Sequence, residues 1–342
     1  MAVALGFGLR LATHSQLAAG PRVRAVGSDD NYHLRRARFA VANFPRTIVF
    51  DRMMNFPAGG VPIWPPLYDL MLAAPSRLLH GASADPAAIE REAAWVPPVL
   101  AAGTIAVAGA LGGVILGPPG AAILALFVAV CPAHILWSQY GHTDQHVAES
   151  FFGTLAFLLF LRARSPAAAG PGSGVRREAV AGLALAAAVL AWQGAIYWGA
   201  IFAVALVLEA ARTRVSVLRP ALLILGLPAV LVAAVTALWL GPFRPPVTYI
   251  SFGFFQPLFL GALAGGTVLL DTGMQAARGQ LEGRDAVRRG VVLAAAAAAL
   301  APFALPLLLG LSRGVGYVLG RTSEVSGSSG YVSYPRDWLK GI

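Results

Sequence analysis

Long apolar runs separated by short polar segments make up most of the chain. An α-helix needs roughly 20 apolar residues to cross the hydrocarbon core of a bilayer, which is about 30 Å thick. Nine runs approach this length, and each predicts a membrane-spanning helix. The nine predicted spans are residues 2–19, 95–116, 120–138, 147–162, 179–193, 195–211, 219–240, 251–270 and 290–311. The pattern therefore predicts an all-α, multi-pass membrane protein.

The composition supports the same class of protein. Hydrophobic residues make up 57% of the 342 residues and charged residues only 12%, whereas a soluble domain carries about 25% charged residues. So few charges cannot solvate the surface of an ordinary soluble enzyme, which excludes that class. Cys131 is the only cysteine, which excludes a disulfide scaffold. The net charge of +10 does not indicate a nucleic-acid partner, because the basic residues lie between the apolar runs, as they do in membrane proteins.

The arginines predict which side of the membrane each loop faces. If the nine spans are right, residues 163–178, 212–218 and 271–289 share one side, and together they contain nine arginines. The positive-inside rule places that side in the cytoplasm. The opposite, external side then carries a long first loop that also contains arginines, but long loops cross a membrane largely regardless of their charge. The external segments are residues 20–94, 139–146, 241–250 and 312–342.

Acidic residues are scarce, with 16 in the chain, and three polar clusters fall on the predicted external side. An ionisable side chain at a membrane is costly, so by default it indicates a functional site. The alternative is that these side chains are ordinary solvated loop charges. The clusters are residues 27–39, 138–150 and 320–329, which contain Asp29, Asp30, His33, His142, Asp144, His146, Glu149 and Glu324.

Asp144 and His146 form the most specific of these patterns. Their spacing of two residues allows both side chains to point at one ion, and with a second carboxylate they would suit Mn²⁺ or Mg²⁺. The alternative is a helix start, with Thr143 or Asp144 as the N-cap and Glu149 in an early turn. The spacing alone leaves both interpretations open.

The segment FPAGGVPIWPPLYDLML at residues 56–72 combines four prolines with aromatic and apolar residues. Because proline breaks a helix interior, a helix here begins only after Pro66. The run at 67–80 is too short to cross a bilayer, so it predicts an interfacial helix within the first external loop. Trp64 and Tyr68 would then lie at the headgroup boundary.

Three segments, in order along the chain, resemble the catalytic subunit of oligosaccharyltransferase. They are GSDDNYHLRRARFAVANFP at 27–45, NFPAGGVPIWPPLYDLMLA at 55–73 and GHTDQHVAESFF at 141–152. The archaeal and bacterial single-subunit forms are the most similar, and they have the GT-C glycosyltransferase fold. These enzymes transfer a glycan from a polyprenyl phosphate or pyrophosphate carrier to the asparagine of an Asn-x-Ser/Thr sequon. The resemblance implies a GT-C transmembrane domain over residues 1–342, without the further helices and soluble domain of the family.

The resemblance also implies a set of site residues. The first-loop metal aspartate of the family corresponds to Asp29, with Asp30 as the second choice and as a candidate substrate contact. The paired metal ligands of the second external loop correspond to Asp144 and His146. Glu324 corresponds to the glutamate of the late external loop, which in the family lies near the metal and the acceptor amide. Asp29 and Glu324 are thus the implied catalytic carboxylates, and Mn²⁺ or Mg²⁺ is the implied cofactor.

Two further residues are candidates for substrate contacts. Arg35 could bind the carrier phosphate through paired hydrogen bonds, and the alternative is an arginine that snorkels to the interface. Trp192 lies in the short link between the fifth and sixth predicted spans. The chain departs from the family at Trp137, where many relatives have an arginine, and around Glu324, where the usual Thr-x-x-Glu motif is imperfect.

The resemblance implies three partners: a polyprenyl-linked glycan donor, an acceptor polypeptide and membrane lipid. The active site would lie on the external or periplasmic face of the cell membrane. One alternative keeps the GT-C fold but transfers a lipid-linked sugar to a lipid, a glycan or a hydroxyl group, and another is an inactive fragment. A transporter is less well supported, because it predicts ionisable residues at mid-span and internal repeats, whereas the acids cluster at one face.

Overall fold

The computed structural model describes residues 1–318 except 19, 21–22, 24–26, 165–172, 242–246, 248 and 282. Over this part of the chain the regular elements are helices, together with one isolated β-bridge between Asp51 and Gly60. This confirms the predicted all-α class. Contacts divide the chain into two compact units. Unit 1 comprises Met1–Ile48 and Pro65–Ala195, and unit 2 comprises Val49–Trp64 and the described residues from Ile196 onward.

Unit 1 contains nine of the α-helices that the described residues form, followed by a short 3-10 turn at Gln193–Ala195. The helices that pack most extensively on one another are α8 and α9, α1 and α6, α6 and α8, and α3 and α4. The helices are α1 (Ala2–Arg10), α2 (His14–Leu17), α3 (Ser28–Asn43), α4 (Leu67–His80), α5 (Pro86–Ala93), α6 (Val96–Val130), α7 (Pro132–Leu136), α8 (His146–Arg164) and α9 (Ser173–Ala191).

Helix α6 is a hairpin of two antiparallel arms rather than one straight helix. The reversal lies at Gly117, whose φ of 69° is in the left-handed region that favours glycine, and Pro118 and Pro119 follow it. The arms approach so closely that a Cβ on Gly112 would lie 2.1 Å from the carbonyl oxygen of Gly120. Glycine is therefore required at the point where the two arms of the hairpin are closest.

The hairpin accounts for two of the predicted spans. Its arms correspond to the spans predicted at 95–116 and 120–138, with the break between them at the predicted place. The second arm ends earlier than expected, at Val130, because Pro132 cannot continue the backbone hydrogen bonds and begins α7 instead.

The first predicted span is broken at Arg10, where α1 ends. The Arg10 side chain is fully buried: Nε donates to Ser138 Oγ at 2.7 Å, and Nη1 donates to the carbonyl oxygens of Gly6 at 2.6 Å and Ala129 at 3.0 Å. Nη2 lies 2.5 Å from His134 Nδ1. The last carbonyls of a helix have no partner within it, so Arg10 supplies donors that the end of the α6 hairpin lacks.

Unit 2 is centred on one helix that packs against α10, α12 and α14. The segment Val49–Trp64 is tied to the entry of this helix by a hydrogen bond of 2.7 Å from Phe252 N–H to the Ile63 carbonyl. The elements of unit 2 are α10 (Ile196–Thr213), α11 (Leu218–Ala221), a π-helical turn (Leu222–Gly226), α12 (Leu227–Leu240), the central α13 (Phe255–Ala277), α14 (Gly283–Leu300), a 3-10 turn (Ala301–Phe303) and α15 (Ala304–Val318).

The segment predicted as a loop at 271–289 is mostly helical, because α13 extends to residue 277 and α14 begins at residue 283. Asp271 is the first residue of α13 beyond the end of the predicted span. Its side chain is fully buried and accepts hydrogen bonds from Arg289 Nη1 at 2.7 Å and Ser216 Oγ at 3.1 Å. Ser216 belongs to the loop predicted at 212–218. The two segments therefore lie together at one end of unit 2, as the loop assignment requires.

The described residues contain six helical segments that are long and apolar enough to cross a membrane, and the first of them includes the hairpin. This confirms a multi-pass membrane protein. The predicted spans at 2–19 and 179–193 are outside this set, because the first ends at Arg10 and α9 begins with charged residues. The six segments are Pro86–Val130, His146–Arg164, Gln193–Thr213, Leu218–Leu240, Phe255–Ala277 and Gly283–Ser312.

The helix predicted at 67–80 is present with those bounds, as α4. The prediction that Trp64 and Tyr68 lie at the headgroup boundary is wrong, because the two side chains are buried in the protein, with 8% and 0% of their surface exposed. Tyr68 lies on the face of α4 that packs in unit 1, where α4 contacts α3 and α5. The exposed apolar residues of α4 are instead Leu78 and Leu79, near its end.

Arg10→Met tests the role of the buried guanidinium. The substitution keeps an unbranched side chain but removes every donor, so the carbonyls at the end of α6 lose their partners. A hydrogen bond to a charged group contributes about 1.5–3 kcal/mol, and we expect a fall in the free energy of unfolding of at least about 2 kcal/mol. Thermal unfolding of the purified protein in detergent measures it. Arg91→Met, at an exposed position of α5, is the matched control, and equal Tm values for the two variants would contradict the assignment.

Candidate functional site

The segment at residues 139–146 connects α7 to α8 and is called here the polar turn. Backbone hydrogen bonds tie it to two other parts of unit 1: Tyr140 N–H donates to the Arg10 carbonyl at 2.9 Å, and Gly141 N–H donates to the Ala94 carbonyl at 3.2 Å. Most of its side chains are buried. The interpretation of this cluster as solvated loop charges is therefore wrong.

The first turn of α3 packs directly on the polar turn. Thr143 Oγ1 donates to the backbone carbonyl of Asp30 at 3.2 Å, and His142 Nδ1 lies 3.4 Å from Asp30 Oδ2. The same carboxylate accepts a hydrogen bond from Gly27 N–H at 2.6 Å, which caps the start of α3. Asp30 thus joins the two polar clusters, and its side chain is almost fully buried.

Asp29 has a different environment from its neighbour. Its side chain is half-buried and accepts a hydrogen bond of 3.2 Å from Ser28 Oγ. The Asp30 carboxylate is occupied with backbone and imidazole groups, whereas Asp29 remains accessible from solvent. This difference favours Asp29 over Asp30 as a metal ligand, the order that the resemblance implies.

Asp144 and His146 are adjacent at the start of α8. The buried Asp144 carboxylate accepts a hydrogen bond of 3.1 Å from the N–H of His146, the first residue of α8, whereas Gln145 occupies the N-cap position that was predicted for Thr143 or Asp144. The same Oδ1 lies 4.0 Å from His146 Nε2, so the carboxylate and the imidazole are next to each other. Glu149 is buried in the first turn of α8, where a negative charge interacts favourably with the helix dipole. Capping and metal binding are therefore compatible for this pair.

Two tryptophans flank His146. The ring centroid of Trp137 lies 5.2 Å from that of His146, and Trp192 lies 4.9 Å away on an edge-to-face contact. Trp137 also contacts His142, at 5.1 Å. The candidate Trp192 is thus beside the candidate metal ligand, although 46 positions separate them in the sequence.

Two carboxylates and an imidazole suit a divalent cation such as Mn²⁺ or Mg²⁺, so the donor chemistry of Asp29, Asp144 and His146 fits. The assembly is incomplete: in the described part of the chain, no three His, Cys, Asp or Glu side chains are grouped closely enough to hold a metal ion. Asp144 and His146 form a pair, and Asp29 is outside it. Glu324, the fourth predicted site residue, lies outside the described residues.

The two neighbouring arginines of α3 have different surroundings. Arg36 is fully buried, with Nη1 2.9 Å from Asp69 Oδ2. Arg35 is half-buried and accessible from solvent. Of the two, Arg35 is the one that solvent partly reaches, and its contact to a phosphate stays a prediction.

A buried network beside the polar turn was not predicted from the sequence. His33 Nδ1 donates to Asp69 Oδ1 at 2.7 Å, and His33 Nε2 lies 2.7 Å from Oε1 of Gln145. Asp69 is the only acid of α4, an otherwise mostly apolar helix, and that isolation was the available signal. The network connects α3, α4 and the polar turn.

Tyr68 completes the buried side of the site. Its ring contacts His33 edge to face at 5.3 Å, and the side chain is fully buried. Burial, together with the nearby carboxylates of Asp144, Asp30 and Asp69, raises the pKa of the Tyr68 hydroxyl well above its usual value. Tyr68 therefore stays a neutral hydroxyl group at physiological pH.

The comparisons with known proteins agree on one family. The model of the family "Oligosaccharyl transferase STT3, N-terminal" matches residues 23–317. Dolichyl-phosphooligosaccharide-protein glycotransferase 1 of Archaeoglobus fulgidus is 26% identical over 242 residues, which cover 70% of this chain and 36% of the relative. The chain thus spans about a third of the length of that relative.

Solved structures of an Archaeoglobus fulgidus oligosaccharyltransferase have a similar fold. One, a complex of AglB with an inhibitory peptide and a dolichol-phosphate, has a TM-score of 0.70 at 21% identity and covers 93% of this chain and 38% of its own. Another, a complex with Zn and sulfate, has a TM-score of 0.70 at 19% identity and covers 94% of this chain and 40% of its own. The likeness extends over nearly the whole chain.

Replacing Asp144 tests the ligand pair directly. We expect Asp144→Ala to raise the Kd for Mn²⁺ by at least about tenfold, because the removal even of a supporting group around a metal costs about 10–100-fold in affinity. Electron paramagnetic resonance of free Mn²⁺ in titrations of the detergent-purified protein measures the Kd. Asp285→Ala, at an exposed position of α14, is the control. A Kd for Asp144→Ala equal to that of the control would refute the assignment.

Proposed function

The chain belongs to the oligosaccharyl transferase STT3 family, and from this membership we propose that it forms the catalytic transmembrane part of a glycosyltransferase. The enzyme transfers a glycan from a polyprenyl phosphate or pyrophosphate carrier to the asparagine of an Asn-x-Ser/Thr sequon, and it requires a divalent metal ion. The observation that carries this proposal is the packing of the first turn of α3 on the polar turn. That packing joins two of the three segments in which the resemblance lies, through Asp30 with His142 and Thr143.

The proposed donor and acceptor follow from the relatives. The Archaeoglobus fulgidus relative is named a dolichyl-phosphooligosaccharide-protein glycotransferase, and the similar structure of AglB contains dolichol-phosphate and a peptide. The donor of this chain is accordingly a polyprenyl-linked glycan, and its acceptor is a polypeptide.

Asp29, Asp144 and His146 would hold the metal ion, and a bound ion would supply positive charge to stabilise the leaving carrier phosphate. The Zn complex of the similar structure supports a metal-dependent site. Mn²⁺ and Mg²⁺ are the proposed ions, because carboxylate ligands and one imidazole suit both.

The residues of the chain orient the two substrates. Asp29 or Glu324 accepts a hydrogen bond from the acceptor amide and holds its nitrogen for attack on the anomeric carbon. Arg35 contacts the carrier phosphate through its guanidinium. Trp192 and Trp137 present aromatic surface on either side of His146, against which a sugar ring can pack.

The active site faces the outside of the cell or the periplasm. The arginine-rich loops of unit 2 lie together at one end, where Arg289 and Ser216 bind the buried Asp271. The positive-inside rule assigns that end to the cytoplasm. The parity of the nine spans predicted from the sequence, with residues 179–193 counted as one of them, assigns the polar turn to the opposite side.

Glycan transfer tests the proposed function. The chain, alone and together with any coding sequence that follows it, is placed in liposomes with a polyprenyl-linked glycan, a sequon peptide and Mn²⁺. We expect glycosylated peptide, no product from a peptide with Gln in place of the acceptor Asn, and a rate at least about 100-fold lower for Asp144→Ala. Asp285→Ala again serves as the control. Cleavage of the donor without any peptide product would contradict the sequon acceptor and indicate a transferase with a different acceptor.

A second test concerns the proposed contact of Trp192 with the sugar ring of the donor. We expect Trp192→Ala to raise the KM for the glycan donor several-fold with a small change in kcat, since an aromatic contact contributes about 0.5–1.5 kcal/mol. Trp192→Phe retains an aromatic face and should restore most of the affinity. Steady-state kinetics with a varied donor concentration separate the two constants. An unchanged KM for Trp192→Ala would remove Trp192 from the donor site.

A further inference from the structure

Three ionisable side chains of unit 1 are completely shielded from solvent and lie next to one another. His33 and Arg36 come from α3 and Asp69 comes from α4, and each side chain has 0% of its surface exposed. Taking such groups out of water costs several kcal/mol for each ion. Apolar residues of similar volume would fill this space at no such cost, so packing alone does not explain the cluster.

The cluster fixes the orientation of the His33 ring. His33 and Arg36 are three positions apart and therefore lie on the same face of α3. Both bind the Asp69 carboxylate, His33 through Nδ1 at 2.7 Å to Oδ1 and Arg36 through Nη1 at 2.9 Å to Oδ2. With one carboxylate oxygen on each partner, Asp69 holds the His33 imidazole in place, and Nε2 points away from α4.

That second ring nitrogen contacts the polar turn. His33 Nε2 lies 2.7 Å from Oε1 of Gln145, whose side chain is buried. Gln145 stands between Asp144 and His146, and its carbonyl accepts the N–H groups of Ala148 and Glu149 at 3.0 and 3.1 Å. Gln145 is thus held at its side chain by α3 and at its backbone by the first turn of α8.

Both ring nitrogens of His33 are occupied by protein groups, so His33 is not itself placed to bind a metal ion or a substrate. We propose that His33 is a positioning residue: the contact of its Nε2 with Gln145 sets the direction in which Asp144 and His146 point. This inference rests on the proposed function, in which those two residues are metal ligands. Groups behind the ligands of a metal site commonly orient them and tune their affinity.

Two amide substitutions separate the two contacts of His33. Asparagine places its amide close to the position of Nδ1, so His33→Asn keeps the contact with Asp69 and loses the contact with Gln145. Glutamine reaches the position of Nε2, so His33→Gln keeps the contact with Gln145 and loses the contact with Asp69. Gln145→Leu removes the same contact from the other side. His80→Asn, on the exposed end of α4, is the matched control.

The experiment measures the Kd for Mn²⁺, the Mn²⁺ dependence of glycan transfer, and Tm for each variant of the full chain. We expect His33→Asn and Gln145→Leu to raise the Kd about tenfold or more, and excess Mn²⁺ to recover part of their transfer rate. His33→Gln should stay within about threefold of the wild-type Kd, because it retains the contact that reaches the ligands.

A purely structural role predicts a different result. His33→Asn and Gln145→Leu would then lower Tm and the folded fraction, while the folded protein kept the wild-type Kd for Mn²⁺, and that outcome would overturn the inference. A Kd that rises equally for His33→Gln and His33→Asn would also overturn it, since the effect would not follow the contact with Gln145. The proposed function is judged separately, by transfer of glycan to the sequon peptide by the wild-type chain.

Discussion

The backbone N–H groups and side chains of residues 139–146 lie inside the protein, where each polar group needs a hydrogen-bond partner. The turn lies between two helices, so the hydrogen-bond pattern of a helix does not supply these partners. They come from elsewhere in unit 1: the Arg10 carbonyl binds Tyr140, the Ala94 carbonyl binds Gly141, and α3 binds the side chains of Thr143 and Gln145. These hydrogen bonds tie the ends of α1 and α5 and the helix α3 to this one turn.

Arg10 links that requirement to the membrane helices. Its backbone carbonyl binds the polar turn, while its guanidinium binds Ser138 and the carbonyl of Ala129 at the end of the α6 hairpin. One residue therefore joins the apolar hairpin to the polar site. This explains why a short first helix ends on a buried arginine, which would otherwise be unfavourable among apolar neighbours.

Local rules predicted the elements well but not the contacts between distant residues. The bounds of α4 follow from Pro66 and the length of the run after it, and a helix start beside Asp144 follows from residue type and spacing. The contact of His33 with Gln145 spans 112 positions, and that of Arg10 with Ser138 spans 128. Such pairs depend on how helices pack, which no local pattern encodes. The same limit explains the wrong prediction that Tyr68 lies at the headgroup boundary. An aromatic ring suits that boundary as well as it suits the buried face that Tyr68 occupies.

We propose that the polar turn holds a divalent metal ion. Anomalous diffraction from crystals grown with Mn²⁺ locates the ion directly. The account predicts an anomalous peak at coordination distance from the carboxylate of Asp144 and the imidazole of His146. Crystals that contain Mn²⁺ elsewhere, for example between Asp30 and His142, and not at this pair would contradict it.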